Sequence, residues 1–144
     1  MRGLGGFMKV ARGLVAAVTF GVSIFSYAAD FSKTFSPSAG VVAVVRIDGK
    51  DLFWKSSGRS SVKQGKVTFE TESPLDIEIG TYDFSGHLGF WVSHTDDGKG
   101  VYRVDRVFTF SRSSNEFVER FRSCGDEFVN LRVDKRRCCL VSTY

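Results

Sequence analysis

Residues 88–111 read LGFWVSHTDDGKGVYRVDRVFTFS, two β-prone runs on either side of a polar cluster at 95–100. Gly98 and Gly100 give that cluster the backbone freedom a chain reversal needs, so the stretch reads as a β-hairpin. In the first arm Leu88, Phe90 and Val92 share one face. In the second, Tyr102, Val104, Phe108 and Phe110 share one face, with Arg106 interrupting the series. An apolar face this aromatic needs a second layer over it, and the remaining strands are expected to supply one.

Upstream, residues 41–47 (VVAVVRI) form the most continuous apolar run after residue 28, the pattern of a strand buried on both faces. Residues 48–51 make a turn, and a return strand starts at Leu52. Residues 56–66 (SSGRSSVKQGK) read as a loop of Ser, Gly and cations, and 67–71 alternates with Val67 and Phe69 inward. Across 75–84, Leu75, Ile77 and Ile79 point in while Asp76 and Glu78 point out. The phase then shifts to Tyr82 and Phe84, as a bulge at Gly80 would produce.

Downstream, 116–123 (EFVERFRS) fits a strand or, through Phe117 and Phe121, a helix; the neighbouring strands favour strand. Residues 128–133 (FVNLRV) alternate with Val129, Leu131 and Val133 inward. A charged turn at 134–137 leads to a last strand in 138–144. About eight short strands at regular spacing predict an all-β domain, a two-layer antiparallel β-sandwich (immunoglobulin-like) or a small β-barrel.

Residues 1–28 carry the marks of a cleaved export signal. Arg2, Lys9 and Arg12 precede the apolar run 14–25, and Ser26 and Ala28 are small residues at the −3 and −1 positions of a cleavage site. A spanning helix needs about 20 apolar residues, and Arg12 and Asp30 bracket this run too closely. Residues 29–144 are then one domain in the periplasm or secreted, with no membrane insertion after cleavage. An outer-membrane barrel is disfavoured because Arg136 and Arg137 interrupt the last apolar band. The chain holds 20 Lys and Arg against 16 Asp and Glu. Three of those cations and none of the acids lie in 1–28, so the remainder is nearly neutral and lacks the field that would draw nucleic acid. In an exported chain three clustered cysteines predict a disulfide from Cys124 to Cys138 or Cys139, because adjacent cysteines rarely bridge each other.

The catalytic inventory is thin. His87 and His94 are the only histidines, and on one strand their spacing puts them on opposite faces. His94 beside Asp96 and Asp97 could be a base oriented by a carboxylate, but it reads more simply as a polar residue entering a turn. There is no nucleophile elbow. The glycine turns at 48–51 and 96–98 lack the ligand spacing of a calcium loop. A thiol left over at Cys138 or Cys139 would sit beside Lys135, Arg136 and Arg137 without a partner histidine. The expectation is no enzyme, no metal and no cofactor.

Binding signals are clearer. Lys55, Arg59, Lys63 and Lys66 gather with no acid among them, and Glu70, Glu72, Asp76, Glu78 and Asp83 follow with no cation. That dipolar layout suits a charged protein partner, and without interleaved aromatics it does not suit nucleic acid. Trp54 sits at the base of the basic stretch. Trp91 is opposite in phase to Leu88, Phe90 and Val92, between the small Gly89 and Ser93. Two readings follow. One is an exported, non-enzymatic protein-binding domain, an inhibitor or immunity protein acting by occlusion on another extracytoplasmic protein. The other is a carbohydrate-binding module that stacks a glycan on an exposed tryptophan.

Overall fold

A computed structural model describes residues 31–98, 102–123, 125 and 127–143; the expected signal segment 1–28 and Cys124 lie outside these. Eleven strands and no helix make up the described residues. Strands β1 (Phe31–Phe35), β2 (Val42–Asp48), β3 (Asp51–Ser57) and β4 (Val62–Thr68) form one antiparallel sheet in chain order. Strands β5 (Asp76–Gly80), β6 (Gly89–Thr95), β7 (Arg103–Ser111) and β8 (Glu116–Arg120) form a second, again in chain order. The short β9 (Phe128–Val129) extends the second sheet by pairing with β7 beyond the end of β8. A hairpin of β10 (Arg132–Asp134) and β11 (Cys139–Val141) completes the chain.

The two sheets pack face to face as a sandwich. No strand pairing joins them among the described residues, so the barrel alternative is not the one realised. Each layer is a simple meander, not the interleaved Greek key of an immunoglobulin domain. The shared core holds Ala43, Val45, Leu52 and Trp54 from the first sheet. Against them pack Phe69, Ile77, Phe90, Val92, Phe108, Phe110 and Phe117. The hairpin at 88–111 is the middle of the second sheet, with Phe90 stacked beside Phe108 at 4.7 Å as register partners. Lys33 Nζ donates to the Ile77 carbonyl at 2.5 Å and ties β1 to β5 along one side.

Arg106, the interruption in the aromatic series, lies on this core face. Its guanidinium donates from Nε and Nη2 to the two carboxylate oxygens of Glu119, at 2.6 and 2.8 Å. The ring of Phe69 covers it at 4.8 Å. A bidentate pair satisfies a half-buried guanidinium that the apolar face would otherwise exclude.

A second, smaller core forms on the outer face of the β5–β8 sheet. The chain turns back after Gly80, and Tyr82 stacks on Trp91 at 4.9 Å with the rings 15° apart. Only glycine fits at 80, since a Cβ there would lie 2.9 Å from the Tyr82 ring and hydroxyl. Val107, Phe128 and Leu131 join this cluster, with Val133 and Leu140 packed at its margin. The C-terminal segment is thus a third layer over one sheet only.

Several expectations need correction. Residues 56–66 are not a long loop: they hold the end of β3, a tight turn at 58–61 and the start of β4. β2 is not buried on both faces, since Val42 is 53 % exposed and Val44 is exposed beside it. The strand at 75–84 ends at Gly80 without a bulge, and His87 lies outside any strand. The run 128–133 breaks at Asn130, which has φ +46, so Phe128 and Leu131 are its buried residues. Residues 116–123 do form a strand, with Phe117 in the core and Phe121 exposed.

Candidate functional site

The outer face of the first sheet is the only broad sheet face that the described residues leave uncovered. Alternation along β2, β3 and β4 places Val44, Arg46, Phe53, Lys55, Gln64 and Lys66 there, with Val42 and Val62 toward one end. Val44, Arg46, Phe53, Lys55, Gln64 and Lys66 line a groove of about 550 Å³, to which Trp54 and Gly65 also contribute. Arg46 and Lys66 stand on either side of Phe53, 5.0 and 5.5 Å from its ring centre.

Two carboxylates tether the cations at one end of the groove. Lys66 Nζ is 2.9 Å from Asp51, and Arg46 is 3.6 Å from Asp48. The Thr68 hydroxyl donates to Asp51 at 2.6 Å. That hydrogen bond and the Lys66 ammonium hold the Asp51 carboxyl below its ordinary range. Lys55, facing Gln64, has no carboxylate partner among the described residues.

Of the residues expected to bind, the groove brings together Trp54, Lys55 and Lys66. Arg59 lies in the 58–61 turn at the end of the sandwich. Lys63 pairs in register with Ser56 and belongs to the other side of the sheet edge. Trp91 is in the second sheet. Neither tryptophan is the open stacking platform expected: Trp54 is 9 % exposed and Trp91 is 7 % exposed. The Trp54 indole fills the space over Gly65, where a Cβ would come within 2.5 Å of it, and meets Phe117 edge-on at 5.5 Å. Trp91 lies between Tyr82 and the guanidinium of Arg103, 5.4 Å away.

Beside Trp91 is a buried polar cluster that anchors the third layer. Asp105 is fully buried, and its Oδ2 accepts from the Leu131 amide at 2.9 Å and from Arg103 Nε at 3.1 Å. Its Oδ1 lies 2.9 Å from the same Nε without an aligned hydrogen bond. Arg103 Nη2 donates to the Leu131 carbonyl at 2.7 Å. Burial pushes the Tyr82 phenol well above its ordinary pKa, and the negative Glu78 and Asp105 push the same way. Asp105 Oδ2 and Arg103 together hold both the amide and the carbonyl of Leu131, which makes the pair a clasp.

The histidines are far apart in role. His94 Nδ1 lies 3.0 Å from the Thr95 carbonyl, and its ring meets Phe69 edge-on, while His87 packs on Phe110 at the other end of the sheet. Asp97 is not aimed at His94. It accepts from the Thr71 and Ser73 hydroxyls at 2.9 and 3.0 Å and from the Glu72 amide at 3.3 Å, pinning the β6–β7 hairpin to the linker before β5. Cys138 and Cys139 form no disulfide among the described residues, and the expected partner Cys124 lies outside them. Searches against protein-family models, curated proteins and solved structures return no match for this chain.

The exposed valines 42, 44 and 62, with the half-buried Phe53 among them, are not what the sequence leads one to expect, although the signal is present. The run at 41–47 is apolar at both phases, and reading it as doubly buried assumed a layer on each side. The chain's third layer covers the other sheet.

Proposed function

We propose that this chain is an exported, non-enzymatic protein-binding domain, and that it docks a partner on the outer face of the β1–β4 sheet. The observation that carries the reading is the asymmetry of the sandwich. One outer face is sealed by Tyr82, Phe128 and Leu131, whereas the other leaves Val42 and Val62 at 53 and 58 % exposure around the groove. Contiguous exposed aliphatic side chains on a sheet face mark an interaction surface. Val44 and Phe53 supply its apolar centre, and Lys55, Arg46 and Lys66 its cationic rim. The complementary partner is an extracytoplasmic protein with an apolar patch edged by carboxylates, blocked by occlusion as an inhibitor or immunity protein blocks its target. The valines offer no face for stacking bases, and both tryptophans are buried, so neither nucleic acid nor a stacked glycan gains support here.

Immobilised protein is compared with its Val44→Asp and Lys55→Glu variants for retention of extracytoplasmic proteins. A specific partner held by the wild type should lose at least ~10-fold in affinity for Val44→Asp, about 1.4 kcal/mol, with thermal midpoints unchanged. Equal retention by all three forms would remove this face from the account. Export itself would place the mature start at Ala29 and oxidise Cys124 with Cys138 or Cys139. Intact mass of material from the oxidising compartment reads both, and a chain that keeps residues 1–28 or three free thiols would count against it.

A further inference from the structure

The third connection of each sheet carries the same tripeptide. Arg59-Ser60-Ser61 forms the turn between β3 and β4, and Arg112-Ser113-Ser114 forms the turn between β7 and β8. The sandwich brings these two turns to one end and fastens them together. Asn115 Nδ2 donates to the Ser61 carbonyl at 3.2 Å and to the Ser61 hydroxyl at 3.0 Å, and the buried Ser56 hydroxyl donates to the Asn115 carbonyl. Asn115 takes φ +56, a conformation that asparagine tolerates better than most residues, and this aims its amide across the gap between layers.

Between the turns and the β1–β2 connection is a cleft of about 580 Å³. Arg59 and Arg112 both line it, together with the serines at 38, 60, 61 and 113, over a floor that includes Phe110. No aspartate or glutamate lines the cleft, and neither arginine has a carboxylate partner among the described residues. Both arginines are exposed on the cleft, and two cations with no acid beside them favour an anion as the group that occupies it. Both cations are arginine, whose planar fork of donors matches two oxygens of a tetrahedral oxyanion. The serine hydroxyls can donate to the remaining oxygens and accept from hydroxyls on a carrier.

We infer that the paired Arg-Ser-Ser turns form a binding cleft for a phosphate or sulfate ester on a small hydroxylated carrier. The cleft is at the end of the sandwich, distinct from the docking face, so either can stand without the other.

The test is a titration followed by NMR of the arginine Nε–H groups and the backbone amides of 58–61 and 112–115. The probes are glucose 6-phosphate, inorganic phosphate and inorganic sulfate, each against sodium chloride at matched ionic strength. Saturable shifts at both turns are expected with the three oxyanions and not with chloride, with glucose 6-phosphate binding tighter than inorganic phosphate. Arg59→Gln and Arg112→Gln should each weaken binding ~10-fold or more, while Arg132→Gln binds as the wild type. If Arg59→Gln loses the fold, Arg59→Lys makes the same comparison by keeping the charge without the fork. Shifts that follow ionic strength alike in chloride and oxyanion, or variants that bind like the wild type, would overturn the site. Equal binding of glucose 6-phosphate and inorganic phosphate would overturn the ester assignment.

Discussion

Replacing Glu119 with alanine should be among the most damaging changes outside the apolar core. It leaves the Arg106 guanidinium on the core face without the two carboxylate oxygens it now bonds at 2.6 and 2.8 Å. Breaking a fully buried pair by removing one partner costs about 3–5 kcal/mol. Here the side chains keep 20 and 14 % of their exposure, so water recovers part of the loss, and about 2–3 kcal/mol is expected. For a domain of this size that is roughly a 10 °C fall in thermal midpoint. Arg106→Met should cost a similar amount, because it strands Glu119, although methionine keeps the contact with the Phe69 ring. The double variant Arg106→Met/Glu119→Ala removes both charges together, and should come within about 2 kcal/mol of the wild type. Urea unfolding followed by tryptophan fluorescence measures all four proteins, with an unchanged m-value as the check on two-state behaviour. The double variant should be at least ~2 kcal/mol more stable than additivity predicts. A Glu119→Ala cost under about 0.5 kcal/mol, or additive singles, would refute the reading of this pair as a buried, mutually dependent unit.

Gly65→Ala should destabilise the domain by about 1–3 kcal/mol, since its Cβ would meet the Trp54 indole at 2.5 Å; a red-shifted tryptophan emission would accompany the loss, and an unchanged midpoint would contradict the packing. Asp105→Asn should weaken the clasp on residues 130–131, and hydrogen exchange at the Leu131 amide should speed up more than exchange in β2 or β3. Asp97 gives a pH signature: hydrogen bonds from Thr71 and then Ser73 and the Glu72 amide hold its folded pKa below the ordinary 3.8. Its stabilising contribution is therefore complete above that value and lost as pH falls through the folded pKa, so the urea midpoint should drop more steeply on acidification in the wild type than in Asp97→Asn.

The central hairpin was legible because its turn chemistry and its period-two aromatic pattern agree. Arg106 and Glu119 each looked out of phase when taken alone. They explain one another only once the register sets Phe108 opposite Glu119 and brings Arg106 to its diagonal, a relation that spacing along the chain does not encode. Strand β4 was hidden by its composition. As an edge strand it needs little apolar surface, and at Gly65 the inward position is filled by Trp54 from β3. The burial of Trp91 depends on Tyr82 and the C-terminal segment folding over the second sheet, and local patterning around Gly89 and Ser93 cannot report a cover supplied from 40 residues away. The end cleft had a visible trace in the repeated Arg-Ser-Ser, but only the sandwich shows that the two copies meet.

The docking face is tested most directly by placing a photo-crosslinking residue at Val44 and, in a second protein, at Val118, which is similarly exposed on the other sheet. Each is irradiated with the extracytoplasmic fraction to which the proposed export would deliver the protein. The account predicts a discrete adduct to one acidic-surfaced protein from position 44, abolished by adding Lys55→Glu, and none from position 118. An adduct from 118 with none from 44 would contradict it and move the partner to the opposite layer.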